Sequence, residues 1–333
     1  MVNAAKAANF NALIVQVRKR GDAYYNSKIV PRATDIAAGY DPLADVITQA
    51  RALELEVHAW LSVYEVATDS PWFRSAENAV HIAYPEWLMV DHKGAKIMSH
   101  GKIYLDPGVP AVQDHILAVV QEVLTGYDVD GIHLDNVRYP DLGSGYNPSS
   151  LARFNAETGK SGMPNPNDQE WRAWRTRQVT GLVSRIHEAI DAAKPAVKLS
   201  ASVMCSDPTL AARQFMQDWA SWTKEGLVDF LVPMVYLQDD RMAAEAVKSL
   251  AASHGRHVYI GIGAFRIDGV MAAKHISDCR AAGAAGVVLY SYHYLGPNSP
   301  GGERARLSDV RSAVFAERTT TAPMAWRQEG GAR

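Results

Sequence analysis

Short apolar runs alternate with stretches of helical period along nearly the whole chain. The runs are "FNALIVQVR" (Phe10 to Arg18), "LEVHAWLSVY" (Leu55 to Tyr64), "VDGIHLD" (Val129 to Asp135), "VKLSASVM" (Val197 to Met204), "VDFLVPMVY" (Val228 to Tyr236), "HVYIGIGAF" (His257 to Phe265) and "AGVVLYSY" (Ala285 to Tyr292). Most are apolar on both faces, as strands of a parallel sheet buried between layers are. Helical patterns such as "DPLADVITQARALE", "PAVQDHILAVVQEVLTGY" and "DDRMAAEAVKSLAASHG" separate them. Repeated strand and helix at this spacing predicts an α/β fold of (β/α)8 TIM-barrel type, which needs eight strands where seven are visible. The opening "MVNAAKAANF" reads as a helix feeding the Phe10 run, so the strand expected to be missing is the first. A doubly wound open sheet is the alternative, but no GxGxxG follows an early strand. The expected organisation is one barrel domain over residues 1–316 and a disordered tail over 317–333, "TTTAPMAWRQEGGAR" being its low-complexity part.

Alternation along the strands then locates candidate chemistry. Residues two apart share a face, which groups Gln16 with Arg18, His133 with Asp135, and His58 with Trp60, Ser62 and Tyr64. Each series turns polar or aromatic toward the C-terminal end of its strand, the active face of a barrel. Two long connections, Glu65 to about Pro110 and Tyr139 to about Asp168, leave from that same end. Carboxylates gather there too: Asp135 closes the third visible strand, and Glu65, Asp207, Asp239 and Asp240 follow others. Glycoside hydrolysis commonly uses two carboxyl groups. Trp60, Tyr64, Trp87, Tyr139, Tyr236, Tyr290, Tyr292 and Tyr294 would supply flat apolar faces for sugar rings. Simpler roles compete. Asp135 could cap a turn and pair with Arg138; His58 and His133 could be hydrogen-bonded interior histidines; Asp239 and Asp240 could cap the helix that they begin.

Composition narrows the classes. With 34 basic and 36 acidic residues there is no charge excess to argue for nucleic acid. No apolar run reaches the roughly 20 residues that span a bilayer, and the first residues lack a signal-type pattern, so the chain as written reads as soluble and unexported. Cys205 and Cys279 stand apart and read as small core residues. A zinc reading could recruit His58, His133 and His293 with Asp135, but HxH and HExxH spacings are absent. No GxSxG elbow and no phosphate-binding loop occur. No metal or organic cofactor is expected.

Several stretches, in order from about Asn9 to Tyr294, resemble one known family. "NFNALIVQVRKRGDAYYNSKIVP", "LEVHAWLSVY", "YPEWL", "YLDPGVPAVQDHI", "YDVDGIHLDNVRYP", "WRAWRTRQVTGLVSRIHEAI" and "VPMVY" are similar to the glycosyl-hydrolase-like family ten barrels, which include enzymes that cut peptide-free peptidoglycan strands. The resemblance implies a TIM barrel with "DGIHLD" on its fourth strand, hence one strand before Phe10. Family members often carry a signal peptide or lipoprotein signal ahead of that strand, which implies an exported protein, periplasmic, lipid-anchored or extracellular. It implies Asp135 as an active-site carboxylate and Gln16, Arg18 and Asp22 as lining the sugar site, with Trp60, Asp106, Arg138 and Tyr236 in other matched motifs. By analogy with barrel glycosidases that use strands four and six, Asp239 or Asp240 is the expected second carboxylate, with Asp106 and Glu65 next. His58, Tyr64, His133, Tyr139 and Tyr292 complete the expected sugar contacts. The expected activity is cleavage of glycosidic bonds in a polysaccharide or peptidoglycan-type strand, a non-catalytic carbohydrate-binding barrel being the rival.

Overall fold

A computed structural model describes the chain except residues 71–75, 97, 99–100, 205, 296–306 and 329–333. The seven runs form seven parallel strands: β1 (Ala12–Arg18), β2 (Glu56–Ser62), β5 (Gly131–Asp135), β6 (Lys198–Val203), β7 (Phe230–Pro233), β8 (His257–Gly263) and β9 (Gly286–Tyr290), adjacent in that order. Among the described residues no ladder joins β9 to β1, so the sheet curls into a barrel open along that side. The two remaining strands, β3 (Glu65–Thr68) and β4 (Lys102–Tyr104), pair antiparallel. They belong to the long connection after β2, which thereby acquires structure of its own.

Helices cover the outside of the sheet. Helix Pro110–Gly126 buries Val112, Ile116, Val119, Val120 and Val123 at helical spacing, the stripe that the sequence pattern predicts. Helix Gln169–Ala193 starts on Asp168, whose side chain accepts from the backbone N–H groups of Glu170 and Trp171. Its Trp171 and Trp174 stack at 5.2 Å against Phe154. From the same helix, buried Arg175 donates to the carbonyls of Leu142 (3.0 Å) and Ser144 (2.6 Å), which anchors the second long connection. Cys279 is buried, as expected of a core residue; Cys205 lies outside the described residues.

The expectation of a disordered tail fails for residues 317–328, and its last five residues lie outside the described ones. The segment runs beneath the N-terminal ends of the strands. Asn9 and Asn11 donate to the carbonyls of Phe315 (2.7 Å) and Thr319 (3.4 Å), and Thr321 Oγ1 donates to Glu56 Oε1 (2.5 Å). Met324 is buried against Phe230 and Val232. Trp326 and Arg327 donate to Asp229, just before β7. Composition predicts disorder where few apolar groups are available for burial. Here one methionine, one tryptophan and one buried ion pair suffice, because the strand ends already present partners.

Candidate active site

Asp135 ends β5 in register with Ser62 at the end of β2. The next residue, Asn136, takes a left-handed conformation (φ +53°), which asparagine tolerates better than most residues. That turn folds the chain back on the carboxylate. Asn136 N–H donates to Asp135 Oδ1 (2.7 Å), Asn136 Nδ2 reaches Asp135 Oδ2 (3.4 Å) and Ser62 Oγ (3.2 Å), and Trp60 Nε1 donates to Asp135 Oδ2 (3.2 Å). Arg138 Nη1 stands 3.9 Å from Asp135 Oδ1. Each of these neighbours offers N–H, the pattern that suits the acceptor-only ionised carboxylate. The side chain remains 15% exposed, so the group is held but reachable.

Asp135 opens into a cavity of about 840 Å³ that fills the barrel lumen, a size typical of small-ligand sites. Its walls include Trp60, Tyr236, Tyr290 and Tyr292. Trp60 meets Tyr290 edge-on at 6.0 Å, and Tyr236 stacks on Tyr290 at 5.8 Å. Gln16, His58, His133 and Arg138 line it, and Glu65 joins them. Glu65 begins β3 and pairs with Lys102 Nζ at 2.6 Å across the β3–β4 ladder, with Arg20 Nε at 4.0 Å. Both carboxylates act on the same phenols. Burial, then Glu65 and Asp135, raise the pKa of Tyr104; burial, Asp135 and Glu65 raise that of Tyr290.

The other expected site residues lie outside this cavity. Between Gln16 and Arg18 the β1–β2 register slips, and such a bulge re-aims the side chains that follow. Arg18 therefore turns away from the lumen, fully buried, and donates Nη1 to the carbonyls of Ser62 and Val63. Lys19 and Arg20 line the cavity in its place. Asp22 accepts from the backbone N–H groups of Lys19 (3.2 Å) and Arg20 (2.9 Å), shaping the loop from behind. β2 ends at Ser62, so alternation does not carry Tyr64 inward; Tyr64 and Tyr139 are fully buried outside the lumen. Asp106 is fully buried as well. It accepts from Gly108 N–H (2.8 Å), Ser150 Oγ (2.9 Å) and Asn147 N–H (3.3 Å), and burial raises its pKa despite them.

Asp239 and Asp240, expected as the second carboxylate, stand on the exterior before helix Met242–Ala251. Asp239 is chelated by its near neighbour Arg241, and Asp240, 79% exposed, pairs with Lys274 at 3.2 Å. Asp207 caps helix Pro208–Phe215. Sequence reasoning had not singled out Asn136, Lys19 or Lys102. The bulge that places Lys19 leaves no compositional mark, whereas an asparagine directly after a strand-end aspartate is a readable turn signal.

The family described as "Glycosyl hydrolase-like 10" matches residues 1–275. The chain belongs to this family. Relatives include the protein named glycosyl hydrolase YngK of Bacillus subtilis, 29% identical over 287 residues that cover 78% of this chain and 53% of the relative. Glycosyl hydrolase DigH of Escherichia coli is 29% identical over 254 residues, 70% of this chain and 56% of that one. The chain thus spans about half the length of these relatives. Among solved structures, α-L-fucosidase isoenzyme 2 from Paenibacillus thiaminolyticus superposes with a TM-score of 0.68 at 20% identity, covering 95% of this chain and 45% of that one. The catalytic domain of β-amylase from Paenibacillus polymyxa gives 0.63 at 14% identity, covering 97% and 94%. At these identities the structural likeness establishes the fold, a TIM barrel.

In this member of the family the lumen floor is polar and largely paired internally, with His58 Nδ1 buried without a hydrogen-bond partner. His133 Nδ1 and Nε2 hydrogen-bond with Ser200 Oγ (2.9 Å) and Ser202 Oγ (2.8 Å), one ring nitrogen donating and the other accepting, while His58 Nε2 meets Glu56 Oε2 (3.1 Å). Gly131 lets His58 pack there, because a Cβ at that position would lie 2.0 Å from its Nδ1. Among the described residues no group of three His, Cys, Asp or Glu side chains could hold a metal ion, and no helix is long and apolar enough to cross a membrane.

Histidines buried in the floor and half-buried on the outer helix Pro110–Gly126 predict a pH dependence of stability. Burial, reinforced by nearby His58, pushes His133 down to about 3, and burial followed by Arg18 pushes His115 down to about 4. An unfolded histidine titrates near 6.5. Between these values the unfolded chain binds protons that the folded chain refuses, so stability falls as pH drops below about 6.5, by up to about 1.4 kcal/mol per pH unit for each group. Glu56 adds the same sign at lower pH. Burial alone would raise it, but hydrogen bonds from His58, Lys198 and Thr321 bring it down to about 2. The unfolding temperature should therefore decline steadily from pH 6.5 to pH 4.5. A flat profile over that interval would remove these histidines from the account.

Proposed function

We propose that the chain is a glycoside hydrolase that cleaves a glycan strand of peptidoglycan type, with Asp135 as nucleophile or base and Glu65 as the second carboxyl group. The observation that carries this reading is that Asp135 and Glu65 line one aromatic-walled cavity at the active end of a barrel. Ser62 is in register with Asp135, and Glu65 follows it by three residues. At about 3.3 Å per residue and about 4.8 Å between strands, the two backbones stand within about 11 Å of each other. Side chains that reach toward one another from such positions span the separations of about 5 to 9.5 Å that glycosidases use. The aromatic faces suit the apolar C–H faces of sugar rings, and the hydrolysis requires no cofactor.

The rival, a binding barrel without turnover, needs the second carboxylate to be absent, and Glu65 argues against it. The relatives' printed names and the family match support hydrolysis. A wall glycan as substrate would place the protein outside the cytoplasm, as the resemblance to exported members anticipates. The test is a panel of peptide-free peptidoglycan strands, chitin oligosaccharides and other polysaccharides, with products read by mass spectrometry. Shortened strands with the mass of water added at each cut are expected from the first of these. Intact strands in every arm, with the protein folded, would end the proposal.

A further inference from the structure

We propose that Arg18, buried outside the lumen, is a positioning residue that sets the separation between the Asp135 and Glu65 carboxyl groups. This rests on the reading above, in which those two groups act as a pair. One short link, Ser62 to Glu65, connects them as the chain leaves the barrel sheet for the β3–β4 ladder. Its first residues hold the Asp135 turn: Val63 N–H donates to the carbonyl of Asp135 (2.8 Å), and Ser62 Oγ accepts from Asn136 Nδ2 (3.2 Å). Its far end is held by β4 and its flank, where Leu105 N–H donates to the carbonyl of Tyr64 (2.8 Å) and Lys102 pairs with Glu65. Between these anchors the backbone of β1 gives no support, because its register with β2 ends at Leu61. Arg18 Nη1 takes that place by donating to the carbonyls of Ser62 and Val63, the latter at 3.1 Å.

For the fold alone this is an expensive side chain. Arg18 is fully buried, its Nε and Nη2 lack hydrogen-bond partners, and it makes no ion pair among the described residues. Burial pulls its pKa down to about 10, with Tyr25 and then Asp22 opposing the shift through space. His115, on the neighbouring helix Pro110–Gly126, adds no compensating charge, since burial and Arg18 itself keep it neutral. An ion buried without a partner is among the costliest groups for a fold to hold, and a neutral donor could satisfy two carbonyls. What the guanidinium adds is rigidity: a planar, pre-organised fork fixes both acceptors from one side chain, and with them the peptide planes after Ser62 and Val63. Were those planes to turn, Glu65 would move relative to Asp135. A misplacement of about 1 Å can cost a hundredfold in rate, and the carboxyl separation decides whether a glycosidase attacks directly or through water.

The test compares Arg18→Met, which removes the charge and the donors but fills much of the same space, with Arg18→Lys, which keeps the charge and a single donor group. Crystal structures of wild type and both variants give the carboxyl separation without any substrate. Thermal unfolding, kcat and KM on the responsive glycan are measured alongside. Arg18→Met should change the Asp135 to Glu65 separation by about 1 Å or more and lower kcat about a hundredfold. Its KM should stay within about threefold of wild type, and its unfolding temperature within about 5 °C, because an apolar side chain relieves the buried charge. Arg18→Lys should recover part of both the separation and kcat. A merely structural arginine predicts the reverse, a lower unfolding temperature with separation and kcat unchanged in the folded protein, and that result would overturn the proposal. Should Arg18→Met fail to fold, Arg18→Gln, which keeps a neutral donor on a shorter stem, decides by the same measures. If wild type cleaves no glycan, the hydrolase reading falls by itself, and the carboxyl separation in the crystal structures alone upholds or overturns the role of Arg18.

Discussion

Asp135→Asn should lower kcat on a cleavable glycan by roughly a thousandfold or more, about 4 kcal/mol of transition-state stabilisation at 1.36 kcal/mol per tenfold, with the fold intact. The substitution keeps size and shape and removes the charge. The neighbours of Asp135 show why stability should largely survive: Asn136 N–H still finds an oxygen on an amide, only Trp60 Nε1 loses its acceptor to the new NH2, and the site is open to solvent. What disappears is the lone pair that would attack the anomeric carbon or a water, and the negative charge that would face an oxocarbenium-like transition state. Glu65→Gln should lower turnover as well, and if Glu65 is the proton donor its loss should be smallest for substrates whose leaving group needs no proton. The check is turnover on the responsive glycan together with thermal unfolding of each variant. Undiminished activity in Asp135→Asn would remove it from the chemistry, and a large drop in unfolding temperature would reassign it to structure.

The largest stability effect should come from the opposite end of the barrel. Asp229 is 2% exposed and accepts from Leu199 N–H (2.7 Å), Trp326 Nε1 (3.1 Å) and Arg327 Nε (2.8 Å), with Arg327 Nη2 completing a bidentate pair. Removing one member of a buried pair leaves the other charge without compensation, at about 3 to 5 kcal/mol. Asp229→Ala should fall in that range by urea unfolding, since the backbone N–H of Leu199 also loses its acceptor. Ending the chain at residue 316 should destabilise through the same contacts and through the loss of Met324 from its pocket. A change below 1 kcal/mol in both would mean that the tail is a peripheral strap and contributes little to closing the barrel floor.

The strands were legible because their signal is local. Seven apolar runs gave seven strands in one sheet, in chain order, and a strand-end aspartate followed by asparagine marked the Asp135 turn. Where alternation was extrapolated beyond the regular strand, it failed. Tyr64 lies past the end of β2, and Arg18 lies past a bulge; a register slip of one residue exchanges the two faces, so Arg18 and Lys19 trade places. Asp239 and Asp240 showed the helix-capping pattern but cap nothing, the N-cap being Arg241; they stay outside the lumen, where the Arg241 N–H and ion pairs with Arg241 and Lys274 hold them. The tail misled for a related reason. Its composition is that of a disordered segment, but Asp229 and Glu56 at the strand ends supply the partners that order it.

The sequence by itself determined the barrel class and the family and singled out Asp135 as the candidate carboxylate, because periodicity, strand-end polarity and the "DGIHLD" motif are properties of neighbours along the chain. Only the tertiary structure decided which second carboxylate shares the cavity with Asp135, which cations face it and what closes the floor. Those depend on register, bulges and the meeting of segments far apart in the chain, and no local pattern records where two such segments come into contact.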